Sequence, residues 1–155
     1  MTFTRSLKKP LLRLEIWLSL AWARFLIRWV PFRYWRGLLG VIEGEQSDDE
    51  RPQLSPEQRK QASDIGRIVN RVADHLRLFE AVCLPRAMTS RWVLARRGLP
   101  SRIIIGSRRG DMEEGLLFHA WLMVGDVVVT GESERADFMA FDKGKMPQGS
   151  ADNVV

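Results

Sequence analysis

Ala81-Val82-Cys83-Leu84-Pro85-Arg86 opens the stretch that decides how this chain is read, and Phe118-His119-Ala120-Trp121 closes it. Proline has no backbone N–H and suits a helix only in its first turn, so Pro85 puts a helix start at or near Cys83. Ala87, Met88, Arg91, Trp92, Leu94 and Ala95 carry that helix to Arg96-Arg97-Gly98, a cationic last turn with glycine at the stop. Leu99-Pro100-Ser101 breaks the chain, and Arg102-Ile103-Ile104-Ile105-Gly106 is β-branched and predicts a strand. After a polar turn over 108–115, Leu116 to Val124 and Asp126 to Thr130 predict a hairpin that turns at Gly125-Asp126.

A cysteine at a helix N-terminus meets unpaired backbone N–H groups and the positive end of the helix dipole, which favour a thiolate. The same N–H groups suit an oxyanion on a substrate carbonyl. On the strand that follows, alternation sends Leu117, His119, Trp121 and Met123 to one face and Phe118, Ala120, Leu122 and Val124 to the other. An imidazole in an apolar strand needs a polar partner, and a thiolate on a helix packed across that face supplies one. Taken alone, a lone cysteine is also a small buried hydrophobe. Together, Cys83 and His119 are the minimum kit of a nucleophile and its base. A third group should hold the other ring nitrogen. Asp126, Glu132, Glu134 and Asp137 are the candidates, and Asp126 is more simply a turn former. Glu132, just past the strand ending at Thr130, is the first choice, with Asp137 the alternative.

Upstream, Ser55-Pro56-Glu57-Gln58 combines a cap, a first-turn proline and a capping-box glutamine. The helix it starts is expected to run to about Phe79, burying Ile65, Ile68, Val69, Val72, Leu76 and Phe79. His75 lies one position off that stripe and reads as a surface or boundary histidine. Downstream, residues 138–141 suggest a short edge strand or a packing segment.

Residues 1–40 have a different character. Arg5, Lys8, Lys9, Arg13, Arg24, Arg28, Arg33 and Arg36 face a lone acid, Glu15, with Trp17, Trp22, Trp29 and Trp35 between them. Helical spacing runs from Leu11 to Val30, with Leu14, Trp17, Leu18, Ala21, Phe25 and Trp29 on one broad face. Pro31 should stop that helix, and a second short one is expected over 32–39. The longest charge-free run, Ile16 to Ala23, is far below the roughly 20 apolar residues a membrane span needs. Interruption by Arg13 and Glu15, with no small-residue cleavage site, also speaks against a secretory signal. Either the segment is a helical hairpin packed on the domain, or it is a docking surface for a partner protein or a membrane face. The expected organisation is a docking segment over 1–43, a polar linker over 44–55, a catalytic domain over 56–142 and a flexible tail over 143–155.

The 155 residues, 45% hydrophobic, suffice for one real core. A single cysteine excludes an intrachain disulfide framework and fits a reducing compartment. The net charge of +5 argues for an acidic partner of some kind. Nucleic acid is not expected, because the arginines are spread over several predicted elements and no binding motif is present. No phosphate loop or metal-ligand spacing is visible, so no metal or organic cofactor is expected.

Cys83-Leu84-Pro85-Arg86, the turn Arg96-Arg97-Gly98-Leu99-Pro100-Ser101-Arg102, Ile105-Gly106, and His119-Ala120-Trp121-Leu122 before Gly125-Asp126 resemble the transglutaminase-like leader peptidase of lasso-peptide biosynthesis, in its stand-alone form. The resemblance covers about residues 55–132. It implies an α+β, papain/transglutaminase-like fold with helices packed on a small antiparallel sheet. It further implies cleavage of the leader from a ribosomally made precursor, with Cys83 as nucleophile and His119 as base. The family's acid is an aspartate shortly after the strand that follows the histidine, a neighbourhood held here by Gly131-Glu132. Implied partners are the precursor's leader peptide and a separate leader-binding recognition protein, with the macrolactam cyclase as a further candidate. The implied setting is the bacterial cytoplasm, with peripheral membrane contact through the N-terminal helices as a further possibility. Two readings compete: another transglutaminase-like amide transferase or peptidase, and a non-enzymatic, basic, Trp-rich adaptor in which Cys83 is merely buried.

Overall fold

A computed structural model describes residues 3–40, 53–76, 82–109 and 115–140. In chain order they form α1 (Phe3–Trp29), α2 (Phe32–Trp35), a 3-10 turn (Arg36–Leu39), α3 (Pro56–Asp74) and α4 (Cys83–Ala95). Then follow β1 (Arg102–Arg109), β2 (Leu116–Val124), β3 (Val127–Thr130), α5 (Glu132–Arg135) and β4 (Met139–Ala140). The fold is α+β, with an antiparallel sheet ordered β3-β2-β1-β4.

Local chemistry accounts for the element starts. Ser55 and Gln58 close the capping box of α3 reciprocally, with bonds of 3.2 and 2.9 Å. Helix α4 begins at Cys83, and its first-turn bond runs from Arg86 N–H to Val82 C=O, so Pro85 removes no bond the helix needs. At its far end Gly98, with φ 72°, lets the Leu99 N–H bond back to Leu94 C=O at 3.0 Å.

Helix α4 is the central element. Leu84, Ala87, Met88, Val93 and Leu94 enter one core with Ile16, Leu20, Ala23 and Leu26 of α1, Ala62, Ile65, Val69 and Ala73 of α3, and Ile103, Ala120, Leu122, Val124 and Val129 of the sheet. Gly66 of α3 makes the helix–sheet contact possible, because a Cβ there would stand 2.1 Å from the Val129 carbonyl oxygen. Arg59 at the start of α3 pairs with Asp126, so the residue read as a turn former also ties the β2–β3 turn to the helix. Glu15 joins α1 to the end of α4, accepting from Arg96 at 2.7 Å and Arg97 at 2.9 Å.

Helices α1 and α3 depart from expectation. Helix α1 starts at Phe3 and contains Pro10, which costs one intrahelical bond without ending the helix. The face of α1 picked out by periodicity is also not the one that enters the core. Ile16, Leu20, Ala23 and Leu26 are buried, whereas Leu14, Trp17, Leu18, Phe25 and Trp29 are exposed. Apolar residues occur all round this helix, so spacing alone does not select a buried side. Helix α3 ends at Asp74 with exposed His75 as its cap, its ring bonded to the Arg71 carbonyl. Phe79, most of the linker and the tail lie outside the described residues.

Candidate active site

Cys83 is the first residue of α4 and is half-buried. Burial pushes its thiol up, but the opposing influences win. A hydrogen bond to the His119 side chain, the Ala120 N–H, the charge of the His119 ring and the Leu84 N–H together hold it below the ordinary thiol value. The structure therefore brings the sulfur and the imidazole together.

They do not meet as alternation suggested. Helix α4 packs on the Ala120, Leu122 and Val124 face of β2. His119 lies on the opposite face, with Trp121 and Met123, which form a separate small cluster with Ile104. The thiol reaches the ring at the strand's edge instead. β3 pairs with β2 only from Leu122 onward, which leaves the edge at Ala120 unpaired by β3, and there the Ala120 N–H turns to the sulfur.

The His119 ring is buried, only 5% exposed, and held on several sides. It stacks on Trp121 at 6.0 Å and lies against Phe138 at 5.1 Å between ring centres. The Arg108 guanidinium sits 5.2 Å from the centre of the Phe138 ring. Nε2 stands 3.0 Å from the Gly131 carbonyl oxygen. A carbonyl only accepts, so Nε2 carries a proton, which leaves Nδ1 as the ring nitrogen for the thiol.

The group on the far ring nitrogen is thus a main-chain carbonyl, where sequence reasoning placed a carboxylate. Gly131 takes φ 81°, and a Cβ there would lie 2.8 Å from the Trp121 Cβ and 3.0 Å from His119 Nε2. Only glycine turns the chain here without pressing on the imidazole. Glu132 follows immediately, but it opens α5 with an exposed side chain rather than extending the antiparallel pair. Asp137 is exposed as well, Asp126 is taken by Arg59, and the Glu134 side chain lies outside the described set. A glycine directly after a β-branched run was the available signal for Gly131. Nothing in the sequence marks the Ala120 N–H, since every non-proline residue carries one.

An α+β domain with a helix-borne thiol bonded to a strand-borne imidazole has the parts of a thiol acyl-transfer protein. A family model described as the transglutaminase-like superfamily matches residues 26–141, most of the chain, and the protein belongs to that superfamily. Its members are usually cysteine proteases or transferases. No curated protein and no solved structure gives a match.

Proposed function

We propose that this protein is a cysteine peptidase that removes the leader from a lasso-peptide precursor. The observation that carries the chemistry is the bond between the Cys83 thiol and His119, with the thiol held below its ordinary pKa. The substrate class rests on the ordered motifs from Cys83 to Asp126 described above.

In this mechanism Nδ1 of His119 takes the thiol proton, and the Cys83 sulfur attacks the carbonyl carbon at the leader–core junction. The Cys83 N–H, at the start of α4 where no helical acceptor is available, faces the developing oxyanion. The peptide C–N bond breaks, and the departing amine receives the proton from Nδ1. Water then gives a proton to Nδ1 and its oxygen cleaves the thioester, which returns the sulfur for another cycle. The Gly131 carbonyl keeps the ring in the productive tautomer, and Trp121 and Phe138 fix its plane. The leader is delivered by a separate recognition protein, and the freed core passes to a cyclase.

Purified protein, a synthetic precursor and the recognition protein, followed by mass spectrometry, test the proposal. A single cut at the leader–core junction that disappears in Cys83→Ala supports it. Exchange of a side-chain amide with added amine, without chain cleavage, would make the protein an amide transferase. Retained cleavage in Cys83→Ala removes the nucleophile.

A further inference from the structure

Leu11, Leu14, Leu18, Trp22, Phe25 and Trp29 of α1 take no part in the core, although they are large and apolar. Their exposures are 62, 54, 54, 53, 47 and 72%. Steps of three, four, four, three and four keep them on one line along the helix, because an 11-residue repeat over three turns is about 3.67 residues per turn. Phe32 and Tyr34 of α2 are exposed as well. Isolated exposed leucines are ordinary, but a continuous ridge of this length is not.

Cations border the ridge on both sides. At about 100° per residue, Arg24 and Arg28 fall along one flank. Glu15 falls on the other, where it is bound by Arg96 and Arg97, so that side also carries net positive charge.

We propose that this face binds an anionic lipid surface, with α1 lying in the plane of the bilayer. The face is a convex ridge on a single helix, which a lipid interface accepts without a matching groove. Arginines on both flanks would reach the headgroups while the leucines and aromatic rings enter the acyl boundary. A second copy of the chain would set the arginine rows against each other. Among the described residues no helix is long and apolar enough to cross a membrane, so the contact is interfacial. This inference is independent of the chemistry at Cys83.

The full chain is sedimented with vesicles of phosphatidylcholine alone and of an equimolar mixture with phosphatidylglycerol. Binding at least about tenfold tighter to the anionic vesicles, weakened by high salt, is expected. Trp22→Gln/Trp29→Gln and Arg24→Gln/Arg28→Gln should each lose about tenfold while the Cys83 alkylation rate stays unchanged. No binding to either vesicle, or equal binding to both, overturns the proposal. So does a dimer that the tryptophan substitutions dissolve, or capture of an acidic protein, if vesicle binding is absent.

Discussion

His119 Nε2 donates to the Gly131 carbonyl oxygen at 3.0 Å, and that single contact decides which ring nitrogen is left for the Cys83 thiol. A residue with no side chain therefore occupies the place where a triad usually sets a carboxylate. The carbonyl orients the ring as a carboxylate would, but adds no full negative charge to stabilise an imidazolium.

The thiol is held below its ordinary value, so iodoacetamide should alkylate Cys83 with a pH midpoint lower than that of an unperturbed cysteine. In His119→Ala burial still raises the thiol, while the strongest lowering influence is gone. Its alkylation midpoint should therefore move upward. An unshifted midpoint would mean that ring and sulfur are not coupled.

Gly131→Ala should damage the site from behind. The new Cβ meets Trp121 and His119 Nε2, in a backbone conformation that costs an L-residue about 1–3 kcal/mol. A loss of that size in urea denaturation, with slower Cys83 alkylation, is expected. Wild-type reactivity would show that the carbonyl contact does not hold the ring.

Glu132→Gln and Asp137→Asn should each change kcat/KM by less than about threefold, because both side chains are exposed and the far ring nitrogen already has its acceptor. A fall of about a hundredfold in one of them would restore that residue as the third member of a triad.

Glu15 should matter to stability rather than chemistry. Its hydrogen bond to Arg97 leads the influences that hold its carboxyl below the ordinary 4.5, outweighing the opposing effect of burial. A lowered carboxyl pKa stabilises the fold fully above the unfolded-state value, and that share is lost as pH falls through the folded value. Glu15→Gln should therefore cost about 1 kcal/mol at pH 7 and much less at pH 3. Paired urea denaturations check this, and an equal gap at both pH values would rule it out.

Much of the site was legible from residue types and spacing, because helix starts and strand alternation are local matters. Pro85 announced the start of α4, Ser55 and Gln58 that of α3, and the alternation from Leu117 to Val124 put His119 on the face of Trp121 and Met123. What crosses between elements was not legible. Cys83 reaches His119 around an edge that exists only because β3 stops pairing at Leu122, and the ring's acceptor is a main-chain oxygen that any residue type possesses. The buried side of α1 was undetermined for a related reason. A helix apolar all round carries no preference in its own periodicity, and only packing on α3 and α4 chose Ile16, Leu20, Ala23 and Leu26, leaving the tryptophans outside.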